Sequence, residues 1–394
     1  MQGSTFSKWV ACWGNATSIT DRKEAVYAKD LTLRYPIRVV FSGSKLRFRF
    51  SNLTGTEDVT ISKAFVATTN GDEYVPTKIT LGGKDELLLP AGKEVSSDEI
   101  SLQVQAGQTI EVSMYFAGFA QMNAGTIVTG PLSKGQYAYG DFADKKVFPD
   151  DLSRATNCFY FLNTVDIFTE EKNHALVCFG DSITAQAWPD HLAQRAWDEG
   201  FHDVAIIRRA VCGTRILRQY DCITYAAYGL KGETRFPIEL NVAGASAVII
   251  QHGINDIIHP VGTEVNKFRP WSDLPTASEM EKGVEEFYIK HARKLGLKVW
   301  SGTLLPIFGW RTYAPFRDEL RNEFNDWLRT SDKFDGCVDF DKAVRNPNKP
   351  EAFADGFDSG DHLHPSERAY EAMAHAAIHK LIRYMPRYDH EEQF

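Results

Sequence analysis

The stretch Val177-Cys178-Phe179-Gly180-Asp181-Ser182-Ile183-Thr184 decides the fold prediction. An apolar run ends abruptly in Gly-Asp-Ser, and a helical pattern follows from Trp188 to Glu199. This order predicts a strand, a sharp turn and a helix, with Ser182 at the tip of the turn. In open α/β sheets such a turn lies at the carboxyl edge, where ligands bind. Because the helix adds backbone N–H groups and a positive dipole end, the site suits a nucleophile whose attack creates an oxyanion.

From Ala175 onward, apolar strand-like runs alternate with helical runs. Strands are predicted at 176–179, 204–207, 247–250, 298–305 and 337–340, and helices at 188–199, 277–295, 315–328 and 365–385. The strands show little alternation of polar and apolar residues, as expected where both faces are covered. The pattern predicts a doubly wound α/β domain with a mainly parallel sheet.

The preceding part of the chain has a β pattern. The segments 45–50 and 110–116 alternate strictly between polar and apolar residues, 158–162 is a further apolar run, and glycines punctuate the runs at turn-like intervals. This predicts an antiparallel β-sandwich of jelly-roll type. The polar stretch 169–173 is the predicted boundary, which gives an accessory β-sandwich domain at 1–170 and a catalytic domain at 171–394.

Composition restricts the partners of the protein. With 394 residues, 43% hydrophobic and 24% charged, the chain is long and apolar enough for a sizeable core. The net charge of −8, without a cluster of Lys and Arg, predicts no nucleic-acid partner. The N-terminus lacks the pattern of a secretory signal and no run has the length of a membrane span. With six scattered cysteines, these features predict a cytoplasmic protein without a membrane partner.

Residues suited to nucleophilic catalysis follow the predicted strands or enter the last helix. A serine becomes a good nucleophile when an imidazole takes its proton and a carboxylate holds that imidazole in the right tautomer. Asp361 and His364 are three residues apart, so the carboxylate can meet one ring nitrogen while the other faces Ser182. We predict Ser182 as nucleophile, His364 as base and Asp361 as its orienting group, with Pro365 at the first helical position.

An oxyanion needs hydrogen-bond donors arranged in advance. The backbone N–H groups of Ser182 and Gly213 and the side-chain amide of Asn255 are the predicted donors. Because Gly213 has no side chain, a substrate can approach its backbone closely.

Each of these residues also has a structural interpretation. Ser182 can cap the following helix, Asn255-Asp256 can form an ordinary turn, and His364 can be a surface histidine. Asp181 and Asp256 are expected to be structural hydrogen-bonding groups, and His252 a packed residue. A metal site at Asp361, His362 and His364 is disfavoured because no second cluster of ligands accompanies them, so no metal or other cofactor is expected.

The order Gly-Asp-Ser, Gly, Gly-x-Asn-Asp, Asp-x-x-His resembles the SGNH (GDSL-like) hydrolase superfamily, with Ser182, Gly213, Asn255 and His364 in the name-giving positions. Isoleucine at 183 replaces the usual leucine. The resemblance covers about residues 174–385, and the segments 358–365 and 46–52 are similar to a subgroup with an added N-terminal β-domain. It implies a flavodoxin-like three-layer catalytic domain, no metal, and ester hydrolysis through an acyl-serine intermediate. The superfamily includes lipases, arylesterases and carbohydrate acetylesterases, so it does not fix the substrate.

Loops after the third and fourth strands are expected to form the substrate pocket. Trp271, Trp310 and Tyr313 are candidates for stacking on sugar or aromatic faces, with ordinary packing as the alternative. Arg215 is a candidate clamp for a polar substrate, although a surface salt bridge is favoured.

The expected function is hydrolysis of short-chain carboxylic esters, above all O-acetyl groups on carbohydrates, so the expected partner is a small-molecule or oligosaccharide ester. Arylesterase and lysophospholipase-like activities are the alternatives within the same chemistry. A carbohydrate-binding protein with an inactive site is the alternative from another class. The β-domain can also serve binding or homo-oligomerisation.

Overall fold

The computed structural model describes residues 6–19, 26–70, 73–220 and 222–382. Its second half is built on a five-stranded parallel sheet, which contains all five predicted strands. In spatial order these strands are Val204–Ala210, His174–Gly180, Ala245–Gln251, Lys298–Gly302 and Gly336–Val338. The strand His174–Gly180 is buried at every position. The predicted α/β fold class is therefore confirmed.

Helices connect and flank these strands. The α-helices are Ser182–Ala185, Trp188–Asp198, Gly232–Glu239, Ile254–Ile258, Ala277–Gly283, Lys290–Lys294, Pro315–Thr330, Phe340–Val344 and Glu367–Lys380. Two 3₁₀-helices, Ile223–Tyr228 and Trp271–Asp273, and one π-helix, Val284–Ile289, complete the set within the described ranges. None of the helices in those ranges is long and apolar enough to cross a membrane.

Several predicted element boundaries differ from the structure. The predicted strand 298–305, for example, ends at Gly302. Phe340 lies in a helix instead of a strand, because the side chain of Asp339 accepts a hydrogen bond from the Lys342 N–H at 3.1 Å and starts the helix there. The predicted helix 277–295 contains the π-helical segment Val284–Ile289. The last helix begins at Glu367, so Pro365 is not its first residue, and the predicted end of that helix at 385 lies outside the described residues.

The first half of the chain consists of antiparallel sheets. One sheet contains Phe6–Gly14, Leu162–Glu170, Gly43–Ser51, Glu94–Ser96 and Ile100–Val104. A second contains Arg154–Thr156, Gly135–Tyr139, Leu31–Arg38, Thr109–Phe116, Lys63–Asn70 and Glu73–Lys78. Smaller groups of strands are Cys158–Tyr160 with Ala124–Ile127 and Ser18–Ile19, Tyr27–Ala28 with Ala120–Gln121, Val59–Ile61 with Leu87–Leu89, and Arg345–Asn346 with Lys349–Phe353 later in the chain.

The alternating segments behave as the period of two predicts. Leu46, Phe48 and Phe50 are fully buried on one face of their strand, and the intervening positions are partly exposed. The predicted apolar run 158–162 is not one strand, because Phe161 has a φ of 61° and separates Cys158–Tyr160 from Leu162–Glu170.

The two kinds of sheet meet at a short turn. The antiparallel strand ends at Glu170, the parallel sheet starts at His174, and the Asn173 N–H donates to the Glu170 carbonyl at 3.2 Å. The buried apolar side chains of both halves form one continuous cluster. The hydrophobic core does not divide into two clusters at 170/171. The predicted domain boundary there stays a prediction.

Candidate active site

The helix that begins at Ser182 is capped by Asp181. The Asp181 Oδ1 atom accepts a hydrogen bond from the Ile183 N–H at 3.1 Å, so Ser182 is the first helical residue and not the cap. As the first residue, Ser182 has no intrahelical partner for its own N–H. The Thr184 hydroxyl donates to Gln251 Oε1 at 2.9 Å, which fixes this short helix to the neighbouring strand. The Ser182 hydroxyl is thereby held at the carboxyl edge of the sheet.

Ser182, His364 and Asp361 are hydrogen-bonded in series. The Nε2 atom of His364 lies 2.8 Å from Ser182 Oγ, and its Nδ1 atom lies 2.6 Å from Asp361 Oδ2. An ionised carboxylate only accepts, so Nδ1 carries the proton and Nε2 of the neutral ring accepts from the serine hydroxyl. This is the arrangement that activates a serine.

Asp361 is held by its own loop. Its Oδ1 atom accepts hydrogen bonds from the Leu363 N–H at 2.9 Å, the His364 N–H at 2.8 Å and the Ser359 hydroxyl at 3.2 Å. Burial favours a raised pKa for Asp361, but the hydrogen bonds from His364 and Leu363 outweigh it and hold the pKa below its usual range. Asp361 is therefore charged at neutral pH.

Pro365 does not start the last helix, as the sequence had suggested. It forms an isolated bridge with Asp358, and Ser366 caps the helix by accepting from the Ala369 N–H at 3.4 Å. The loop from Asp358 to Pro365 is thus closed at its base, which fixes the position of His364.

Gly213 follows the strand Val204–Ala210, at the same edge of the sheet. The Val211 N–H donates to the Gly180 carbonyl at 3.3 Å, which brings this loop beside the Ser182 turn. Among the described residues, the Gly213 N–H has no hydrogen-bond partner. Gly213 has a φ of 79°, and a Cβ atom there would lie 2.3 Å from the Tyr228 ring. The structure therefore requires glycine at this position for its backbone conformation and its contact with Tyr228. The close approach of a substrate to the Gly213 backbone stays a prediction.

Asn255 and Asp256 fasten the Gly213 loop. The Asn255 side-chain amide donates to the Thr214 carbonyl at 3.0 Å, while Asp256 accepts from the Ile216 N–H at 2.7 Å and the Leu217 N–H at 3.0 Å. Both residues lie in the helix Ile254–Ile258, not in a simple turn. The predicted structural role of Asp256 is confirmed. One N–H of the Asn255 amide is used by Thr214, and its role toward an oxyanion stays a prediction.

His252 is a packed residue, as predicted. Its Nδ1 lies 2.9 Å from the Tyr288 hydroxyl, and its Nε2 lies 2.9 Å from the Thr214 hydroxyl. Burial, together with the positive charge of Arg235, lowers the pKa of His252 well below its ordinary value. The ring is therefore neutral and supports the Gly213 loop from below.

Arg215 is buried, with 2% of its surface exposed. Its Nη1 donates to Asp273 at 3.0 Å, and its guanidinium lies 4.4 Å from the centre of the Tyr220 ring. The expected salt bridge is present, but its expected location at the surface is wrong, because Arg215 is buried and Asp273 is partly buried.

The three aromatic residues proposed for substrate contact differ in exposure. Trp271 is 47% exposed and donates from Nε1 to Glu264 at 2.9 Å. Trp310 packs against the core, and the Arg311 guanidinium lies 4.5 Å from its ring centre. Tyr313 also packs against the core and meets the Phe308 ring edge to face, with the ring centres 5.1 Å apart. Phe308, which was not singled out from the sequence, is 38% exposed in the same loop.

The sequence interpretation missed Arg235. Its guanidinium is buried and donates to the Gly180 carbonyl at 2.6 Å and to the Arg209 carbonyl at 3.2 Å. It thereby holds the strand end that carries Ser182. Its helix, Gly232–Glu239, contains Pro237 and has no clear apolar stripe, so the sequence carried no signal for it.

Within the part of the chain that the structure describes, no group of three or more His, Cys, Asp or Glu side chains is placed to hold a metal ion. His364 and Asp361 bond to each other, and His364 bonds to Ser182.

Residues 178–372 match the GDSL-like Lipase/Acylhydrolase family. This part of the chain is a GDSL-like acylhydrolase domain. It contains Ser182, Gly213, Asn255 and the Asp361–His364 pair. No curated protein matches the sequence significantly.

Solved structures with similarity to this chain include an acetylxylan esterase and an alpha/beta hydrolase enzyme. Axe2, an acetylxylan esterase from Geobacillus stearothermophilus, is 16% identical, with 52% of this chain and 93% of Axe2 covered and a TM-score of 0.37. LAE5, an alpha/beta hydrolase enzyme from the metagenome of Lake Arreo, is 15% identical, with 52% and 94% covered and a TM-score of 0.40.

Proposed function

We propose that this protein is a serine esterase in which Ser182 is the nucleophile, His364 the general base and Asp361 the group that orients it. The observation that carries the proposal is the series of hydrogen bonds from Ser182 through His364 to Asp361, with distances of 2.8 and 2.6 Å. The acylhydrolase domain indicates a hydrolase acting on esters, and this series supplies a mechanism.

In the first half-reaction, Ser182 Oγ attacks the ester carbonyl carbon while His364 Nε2 takes the hydroxyl proton. The tetrahedral intermediate collapses, the bond to the alcohol oxygen breaks, and His364 gives that oxygen the proton. Water then repeats the sequence on the acyl-serine, and the acid leaves. Asp361 keeps the proton on Nδ1 throughout, which leaves Nε2 available for transfer.

The oxyanion is placed toward the Gly213 loop. The N–H groups of Ser182 and Gly213 and the side chain of Asn255 are the proposed donors. Support comes from the Gly213 N–H, which has no other partner among the described residues, and from the Asn255 contact that fastens its loop.

The proposed substrates are short acyl esters, foremost O-acetyl groups on carbohydrates. The loop 306–313 supports this choice because Phe308, 38% exposed and covered on its ring by the Lys349 ammonium at 3.0 Å, lies beside the loop that carries His364. Aromatic rings next to polar groups suit the mixed faces of sugars.

The test compares acetate release from acetylated oligosaccharides and from 4-nitrophenyl acetate by the wild type and by Ser182→Ala. We expect both activities in the wild type and a loss of at least 10³-fold in Ser182→Ala. Ser278→Ala, an exposed serine on another helix, is the control and should match the wild type. Serine-dependent hydrolysis of the nitrophenyl ester alone would move the substrate to aryl or lipid esters. Inactivity of the folded wild type on both would contradict the proposal.

A further inference from the structure

His362 has an unusual backbone conformation between the two triad residues Asp361 and His364. Its φ is 64°, in the left-handed region that only a few per cent of non-glycine residues adopt, Asn, Asp and His more often than the others. Such strain persists where the surrounding structure enforces it, and it clusters at ligand sites.

Asp358 holds this conformation. Its Oδ1 accepts from the Gly360 N–H at 2.8 Å and from the His362 N–H at 3.0 Å, and its Oδ2 contacts the Nδ1 atom of the His362 ring. A neutral ring that donates from Nδ1 to a carboxylate presents Nε2 as a hydrogen-bond acceptor. The His362 side chain is 51% exposed, and Nε2 has no partner within the described ranges.

The His362 ring also lies against the aromatic loop. A Cβ atom at Gly309 would be 2.7 Å from Cγ of His362, so the ring fits only because residue 309 is glycine. Phe308, 38% exposed, directly precedes Gly309 in that loop. The His362 ring therefore lies against Gly309, next to the partly exposed Phe308.

The chemistry of the site assigns a side to each half of the ester. His364 Nε2 protonates the leaving alcohol oxygen, so the alcohol lies toward the 358–365 loop, which also carries His362. The carbonyl oxygen lies toward the Gly213 loop. A free acceptor on the alcohol side selects alcohols that carry a further O–H donor next to the ester.

We propose that His362 is a specificity-determining residue that accepts a hydrogen bond from a free hydroxyl adjacent to the esterified one on a carbohydrate or other polyol. The inference rests on the proposed esterase function and adds the recognition of a partially acetylated substrate. Asp358 fixes the tautomer, and the strained backbone aims the ring.

The test uses three substrates: a methyl glucoside with one acetyl group, the same glucoside with all four hydroxyls acetylated, and 4-nitrophenyl acetate. Only the first has free hydroxyls. We expect His362→Ala to lower kcat/KM for the mono-acetate by about 5- to 20-fold, mainly through KM, and to leave the other two within about twofold. His362→Asn, which tolerates the left-handed backbone and keeps an acceptor, should retain part of the activity on the mono-acetate.

His362→Gly separates recognition from folding. It relieves the backbone, so its melting temperature should equal or exceed that of the wild type, while its loss on the mono-acetate should match that of His362→Ala. Asp30→Ala, at another residue with a left-handed φ, 53°, in the β-rich half, should change none of the kinetic constants.

Equal losses on all three substrates would overturn the proposal, because they would show that His362 only supports the triad. An unchanged mono-acetate rate, or a wild type that cleaves the nitrophenyl ester but not the mono-acetate, would overturn it as well. A wild type without Ser182-dependent cleavage of the nitrophenyl ester would instead contradict the esterase function itself.

Discussion

Asp181 is a buried carboxyl directly before the proposed nucleophile. Oδ1 caps the helix, while Oδ2 has no hydrogen-bond partner in the described part of the chain. Burial is the largest cause that raises its pKa, from 3.8 to about 7. The native state therefore binds a proton that the unfolded chain releases between pH 4 and 7. Stability falls as the pH rises through this range, because the folded protein must retain the proton or bury a charge.

Asp181→Asn should remove this pH dependence. Asparagine keeps an oxygen for the Ile183 N–H and has no charge to bury, so the stability of the variant relative to the wild type should rise between pH 4 and 7. The difference in free energy of unfolding between variant and wild type should increase by up to about 1.4 kcal/mol per pH unit. Urea denaturation at pH 5 and pH 8 measures it. A constant difference at the two pH values would show that Asp181 is charged in the native protein.

Single residues were predictable where the geometry is local. Asp361 and His364 are three residues apart, so their contact follows from the chain itself. The burial of Arg215 was not predictable, because it depends on Asp273, which is distant in sequence and brought near by folding. The room for the His362 ring depends in the same way on a distant residue, Gly309.

The loop from Val211 to Leu217 is the element on which the proposed oxyanion hole depends. Its position is set by the helix Ile254–Ile258. The Asn255 amide donates to the Thr214 carbonyl, and the Asp256 carboxylate accepts from the Ile216 and Leu217 N–H groups. Gly213 lies inside this loop, so any shift moves its N–H group.

Asp256→Ala should therefore reduce both stability and catalysis. Two buried N–H groups lose their acceptor, which costs about 2–4 kcal/mol, and kcat/KM on 4-nitrophenyl acetate should fall by about 10- to 100-fold as Gly213 shifts. The control is Asp98→Ala. Asp98 also accepts from two backbone N–H groups, those of Gly82 and Gly83 at 3.0 and 2.8 Å, but in the β-rich half. The Asp98→Ala variant should lose stability while its kcat stays unchanged. An unchanged kcat in Asp256→Ala would contradict the role of the loop.

Elements were predicted well where hydrophobic periodicity is strong, and their ends less well. All five parallel strands were found from apolar runs, whereas the start of the helix at Phe340 depends on the side chain of Asp339. The π-helix Val284–Ile289 carries Tyr288, which meets His252. Neither feature changes the apolar period, so sequence patterns do not reveal them.

Across the whole molecule, Arg209 joins the parallel sheet to the antiparallel half. This residue, 1% exposed, donates to the Asn15 carbonyl, to the Asn163 carbonyl at 3.1 Å and to the Thr164 hydroxyl at 2.6 Å. It also lies 3.6 Å from the buried Glu239 carboxylate. Glu239 lies 3.8 Å from Arg235, which holds the Gly180 carbonyl. A buried polar chain thus links the β-rich half to the strand end before Ser182.

Arg209→Met should destabilise the protein by about 3–5 kcal/mol, because it leaves four hydrogen-bond acceptors, the Glu239 carbonyl among them, and the buried Glu239 carboxylate without their partner. Chemical denaturation measures this loss. Lys45→Met, which removes the exposed pair with Glu99 at 3.0 Å, should change stability by less than about 1 kcal/mol. Because the contacts of Arg209 link the two halves, a chain limited to residues 171–394 should be insoluble. A stable, active fragment would show instead that the halves fold independently.

The sequence predicted two architectures but not how they join. The acceptors of Arg209 are mostly backbone carbonyls, which every residue type has, and they come from distant parts of the chain. A long apolar strand with two consecutive arginines, Arg208 and Arg209, was the available signal. This pair of arginines indicates that the strand has buried hydrogen-bond partners, but the pattern does not show which residues they are.

The most direct test of the account is covalent labelling of the nucleophile. Full-length protein is incubated with a fluorophosphonate and digested, and the modified residue is located by mass spectrometry. We predict one phosphonyl group per chain, on Ser182, absent from Ser182→Ala and strongly slowed in His364→Ala. An active protein that remains unlabelled, or that carries the label on another residue, would contradict the proposal that Ser182 is the catalytic nucleophile.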